Sequence, residues 1–214
     1  MAVLTPARRE QLHRRGLLLE WFSVAWNMVE AFVAIGVGVV VGSVALVGFG
    51  VDSGIEVISA VALLWRLRKA GPHASAEEQG SAERKALYLV AATFFLLAAY
   101  ILYEAVGALL SGEGPESSTL ALVLSVVSIL IMPTLAYLKG RTGREMGSRA
   151  LVADSVETWV CAYLSVALLA AVGLNAAFGW WWADPAGALA MLPVILWQGW
   201  KTLGEAREAG EDKE

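Results

Sequence analysis

The sequence predicts an all-α membrane protein built as a bundle of six transmembrane helices. Three observations carry that prediction. The 214 residues are 57% hydrophobic with nine Trp, and the mean hydropathy is +0.61, too apolar for an ordinary soluble domain. The apolar runs approach the length of about 20 residues that a helix needs to cross a bilayer. All sixteen Lys and Arg residues gather at alternate ends of those runs, which leaves three of the connections with none.

The elements follow in order. Residues 1–15 form a polar segment containing Arg8, Arg9, Arg14 and Arg15. A first span over about 16–41 carries Glu20, Asn27 and Glu30, unlike the apolar core of a cleaved signal peptide, and is read as a retained helix. Gly42 and Ser43 make a tight turn into a second span, 43–66. Residues 70–83 are small and polar, hence a loop, with His73 as a solvated residue. A third span covers 85–110, with Glu104 near its far end, and an acidic turn follows at 111–118. The fourth span, 119–138, contains Pro133 as an expected kink, and 139–149 reads as a basic loop. The fifth span covers 150–174. After a short connection with Trp180, Trp181 and Trp182, which suit an interfacial aromatic belt, Asp184 and Pro185 open a sixth span over 184–203. Residues 204–214 are expected to be a short tail, with no C-terminal cytoplasmic domain.

An even number of spans puts both termini on one side, and the charge segregation makes that side cytoplasmic in a cell (inner or plasma) membrane. The single cysteine, Cys161, excludes an internal disulfide. No membrane-depth histidine or Ser/His pairing supplies a catalytic base, so an enzyme is not expected. Neither a tightly bound cofactor nor a nucleic-acid partner is expected.

The interior of the second span holds just two charges, Asp52 and Glu56. A carboxylate in hydrocarbon costs several kcal/mol and marks a functional site by default. At i, i+4 the two lie one turn apart on one helix face. They repel if both are ionised, and a divalent cation or bound protons relieve that repulsion. Glu157 and Cys161 repeat the spacing on the fifth span. At 1.5 Å per residue, Asp52 lies about 14 Å from the turn at Ser43, and Glu157 and Cys161 roughly 12 and 18 Å from the opposite boundary. Both pairs therefore fall near the midplane of a core about 30 Å thick, which argues for one shared site. Cys161 reads equally as a ligand or as a small buried hydrophobe. Asn27, Glu30 and Asp154 are candidates for supporting the site or relaying protons, with Asp154 favoured as a helix brace. Glu20 reads as a snorkelling boundary residue.

Residues 42–56, GSVALVGFGVDSGIE, followed by GSRALVADSVETWVCAYLS at 147–165 and WADP at 182–185, resemble the cation diffusion facilitator superfamily. The similarity extends over about 16–203 and is greatest to its short branch consisting of the membrane domain alone. The resemblance implies a six-helix homodimer in the lipid bilayer that exports divalent transition metals, usually zinc, in exchange for protons. It implies a midplane metal site at Asp52, Glu56, Glu157 and Cys161. The family usually places Asp or His, then Asp, on the second helix, and His or Asp, then Asp, on the fifth. This chain has Asp, Glu, Glu and Cys, without an imidazole. A non-transporting membrane sensor or accessory subunit that retains the fold is the alternative expectation.

Overall fold

The computed structural model describes residues 6–69, 80–112, 114–116 and 118–211. Six helices make up the regular structure of these residues: α1 (Pro6–Val41), α2 (Val44–Lys69), α3 (Gly80–Ser111), α4 (Thr119–Met146), α5 (Arg149–Phe178) and α6 (Ala183–Glu211). Five are long and apolar enough to cross a membrane. Helix α6, which carries Asp184, two prolines and Gln198, is not among those five. The protein is a multi-pass membrane protein.

Several boundaries differ from the sequence expectation. Helix α1 begins ten residues earlier than residue 16, at Pro6. The expected basic loop 139–149 is mostly helix, because α4 runs unbroken through Pro133 to Met146. The expected tail is helical to Glu211. The expected loop 70–83 and His73 fall largely outside the described residues.

The glycines that made 139–149 look like a loop are a helix contact. A Cβ on Gly143 would sit 2.9 Å from the backbone nitrogen of Val152, and one on Gly140 would sit 3.0 Å from Ser155 Oγ. Small residues allow α4 and α5 to approach this closely. The α4 helix then stops at Gly147, whose φ of 70° is left-handed, and Ser148 Oγ starts α5 by accepting from the Leu151 amide.

Helix α1 packs chiefly on α2, α4 on α5, and α3 on α6. Contacts of α1 with α4 and of α2 with α5 close α1, α2, α4 and α5 into a ring, and the α3/α6 pair joins it along α2 and α5. The α1–α2, α3–α4 and α5–α6 connections meet at one end. There the Glu116 amide donates to the Val41 carbonyl at 2.9 Å, and Asn175 Nδ2 donates to the Pro115 carbonyl at 2.8 Å. At the other, basic end, Arg8 of α1 reaches Glu145 of α4 at 2.6 Å.

Asp184, expected only to open the sixth span, fastens α6 to the start of α2. Its carboxylate accepts from Ser43 Oγ at 2.5 Å, the Val44 amide at 2.9 Å and the Ala45 amide at 3.3 Å. Those amides belong to the first turn of α2 and have no acceptor within their own helix. Val44, Ala45 and Asp184 are buried just past the tight Gly42 turn, whose φ is 72°. Asp184→Ala is expected to destabilise the protein by about 1–3 kcal/mol, and Asp184→Asn by less, since it keeps one acceptor oxygen. Thermal unfolding in detergent micelles checks this, and an unchanged midpoint for the alanine variant contradicts it.

Candidate metal centre

Helix α1 lays a polar stripe along the interior of an apolar bundle. Glu20, Ser23, Asn27 and Glu30 are all buried, because spacings of three, four and seven residues return to one helix face. Against this stripe α2 places Asp52, Ser53 and Glu56, also buried. Asp52 and Glu56 are the ninth and thirteenth residues of a 26-residue helix, and Cys161 is the thirteenth of the 30 in α5. Halfway along both helices, the three side chains converge. A carboxylate oxygen from each acid and the Cys161 sulfur lie within 4.8 Å of one another, all buried.

The partners of these groups are unequal. Asn27 Nδ2 donates to one oxygen of Glu56 at 2.8 Å, fixing that carboxylate with its second oxygen, Oε1, unpartnered. Both oxygens of Asp52 accept no hydrogen bond, although the residue is fully buried. An ionised carboxylate so placed costs several kcal/mol unless a positive charge or a proton meets it. Two carboxylates and a sulfur facing one another at this separation are a donor set that a single cation can bridge. Bonds to zinc run about 2.0–2.3 Å, so donors up to 4.8 Å apart fit around one ion.

Glu157, the other residue of the expected set, is half-buried and takes a different partner. Ser59 Oγ of α2 donates to it at 3.1 Å. Ser59 lies three residues beyond Glu56, so this acid sits about one turn nearer the basic end.

Glu30 faces two hydroxyls. It accepts, by a short bond, from Ser128 Oγ of α4, and Ser53 Oγ of α2 lies at 3.4 Å, its one proton shared with the Phe49 carbonyl at 3.1 Å. Asp154 is paired with the buried ammonium of Lys139, and Glu20 faces the same ammonium at 3.4 Å. Glu20 is therefore an interior residue, and its expected snorkelling to the boundary does not occur. Glu104 lies on α3, away from these groups, and its side chain is partly exposed.

Sequence reasoning missed Lys139, Ser59, Ser53 and Ser128. Lys139 follows an apolar run and precedes Gly140 and Arg141, a pattern shared with any loop. Its one signal is that Gly140, Thr142 and Gly143 are small enough for helix packing to continue past it. The serines are ordinary small residues of membrane helices and acquire meaning only from an acid on another helix.

A family model described as the cation efflux transmembrane domain matches residues 21–209. An uncharacterized transporter of Synechocystis is 32% identical over 174 residues, covering 80% of this chain and 56% of its own length. Transmembrane protein 163 of Xenopus laevis is 27% identical over 166 residues, 78% of this chain and 58% of that protein. The cation-efflux pump FieF of Shewanella oneidensis is 34% identical over 97 residues, 45% of this chain and 32% of the pump. The chain spans little more than half the length of the first two relatives.

The unpartnered state of Asp52 has a consequence for stability. Asp52→Asn is expected to raise the stability of the metal-free protein by about 1–3 kcal/mol, because a neutral amide is cheaper to bury than an ionised carboxylate. An ion held by this candidate donor set would reverse the order in saturating zinc, since it would stabilise the unaltered protein alone. Unfolding midpoints with chelator and with zinc check both halves. An asparagine variant less stable in chelator contradicts the description of Asp52 as uncompensated.

Proposed function

We propose, from the premise that this chain belongs to the cation efflux family, that it exports a divalent transition metal, zinc foremost, in exchange for protons. The observation that carries this reading is the convergence of Asp52, Glu56 and Cys161 within 4.8 Å, with Asp52 bare of any hydrogen bond. Glu157 completes a tetrahedral set by exchanging its Ser59 partner for the ion. Oxygen donors alone suit hard cations, and the sulfur of Cys161 tilts the preference toward zinc and cadmium.

Proton exchange follows from the same donors. A bound metal requires deprotonated carboxylates and thiolate, so loading releases protons and protonation releases metal. In a bundle that opens alternately to either side of a fixed midplane site, that competition couples the two fluxes. Asn27 holds Glu56 in place for the ion. Residues of this supporting kind contribute about 10–100-fold in affinity.

The charge segregation supports cytoplasmic termini in the cell membrane, because all sixteen basic residues belong to the end where α1 starts. Transport then runs from the basic end to the end where the connections meet. A homodimer held by membrane helices is part of the proposal, with Gly36 of α1 and Gly54 of α2, which have open space around them, at the contact, since Gly38 and Gly50 are used in packing α1 on α2.

Reconstitution into proteoliposomes tests the reading. Zinc flux with counter-flow of protons is expected, and Asp52→Asn is expected to abolish it in a folded protein. Cys161→Ser is expected to retain transport while shifting the ranking of zinc, cadmium and manganese toward manganese. Normal flux in Asp52→Asn contradicts the site. Absence of any flux in the unaltered protein favours a sensor or accessory role.

A further inference from the structure

Two turns toward the basic end from the metal centre lies a second group of charges. Glu20 precedes Asn27 by seven residues on α1, and Asp154 precedes Cys161 by seven on α5, which is roughly 10 Å along each helix. Between them stands Lys139 of α4, 2% exposed. Its ammonium is paired with Asp154, faces Glu20 Oε1 at 3.4 Å and donates to Thr158 Oγ1 at 3.4 Å. Thr158 spends its own proton on the Asp154 carbonyl at 3.1 Å, so it presents lone pairs to the cation.

Seen without the lysine, this is a buried pocket of oxygen acceptors from α1 and α5. Two carboxyl groups meet one ammonium, so charge balance requires a further positive charge or a proton on one of them. Glu20 is fully buried, yet its Oε1 has the long ammonium contact alone and its Oε2 has no hydrogen-bond partner. A buried ion pair retained for structure has its remaining lone pairs satisfied, and this one does not. A dication balances two carboxylates where a lysine balances one.

We infer that Glu20, Asp154 and Thr158 form a second divalent-cation site, occupied here by the ammonium of Lys139, which acts as a tethered plug on the basic-end approach to the metal centre. The placement of the plug on a transport path rests on the proposed export function, whereas the site itself does not. An incoming ion exchanges with the ammonium at the two carboxylates and passes on to Asp52 and Glu56. The pocket offers oxygen alone, so it favours harder ions than the centre containing Cys161.

The test counts bound Mn²⁺ per purified chain by equilibrium dialysis, with unfolding midpoints measured in parallel. Lys139→Met is expected to bind one Mn²⁺ more than the unaltered protein. The extra ion is expected to vanish in Lys139→Met combined with Glu20→Gln, and Lys139→Arg is expected to keep the unaltered count. Lys139→Met is also expected to lose stability in chelator and to regain it with Mn²⁺. An unchanged ion count, an extra ion that survives Glu20→Gln, or a variant that stays unfolded at saturating Mn²⁺ overturns the inference. Should the unaltered chain bind no ion while Lys139→Met binds one, the inference stands and the reading of the midplane centre falls.

Discussion

Uncompensated negative charge in a low-dielectric interior is the constraint on which the rest of this structure depends. Among the described residues Glu20, Glu30, Asp52, Glu56, Asp154 and Asp184 are buried, against Lys139 as the buried base. Each acid meets the cost differently. Asp184 takes the amides and hydroxyl that begin α2, Asp154 takes the lysine, and Glu30 takes the Ser128 hydroxyl and a share of the Ser53 proton. Glu56 has one amide donor from Asn27, and Asp52 has none. Glu20, toward the basic end, has the lysine at 3.4 Å and no hydrogen bond, so Asp52, at the middle of the bundle, is the acid of this set with neither a hydrogen bond nor an ion pair. Hydrogen bonds to charged groups contribute about 1.5–3 kcal/mol each, so their absence at the midpoint is a large local deficit. A mobile cation or proton is the natural remedy.

The packing keeps that deficit where it is. Close contact of α4 with α5 at Gly140 and Gly143 brings Lys139 against Asp154, and the α1/α2 hairpin brings Asn27 against Glu56. Polar ties therefore join α1, α4 and α5 toward the basic end and α2 with α6 at the other. Between them Glu56 is held to α1 by Asn27, whereas Asp52 faces Glu56 and Cys161 without a hydrogen bond of its own. Opening either end of the bundle requires breaking that end's polar contacts. Discrete, bistable contacts of this kind are what alternate between packed arrangements.

Much of this was legible in the sequence. The six helices follow from hydropathy and from the sorting of basic residues, both local or compositional signals. The i, i+4 pairs Asp52/Glu56 and Glu157/Cys161 follow from helix periodicity alone. What periodicity does not supply is the partner across helices. Glu157 shares a helix face with Cys161, yet the hydroxyl that donates to it belongs to Ser59, 98 residues away. Lys139 looks like a boundary charge until Glu20 and Asp154 arrive from two other helices. Asp184 looks like a helix-opening residue, and opens its own helix, but its carboxylate serves α2. The end of α4 was hidden for another reason. Glycine and arginine between two apolar runs signal a loop by composition, whereas the close approach of α5 makes glycine the residue a helix needs there.

The central claim is that Asp52, Glu56 and Cys161 together hold one cation at the middle of the bundle. Anomalous diffraction from crystals grown with zinc measures this directly. The account predicts a single peak within about 2.0–2.3 Å of a carboxylate oxygen of Asp52, one of Glu56 and the sulfur of Cys161. A peak absent from that position, or one held by Glu157 and Ser59 without Asp52, would contradict it.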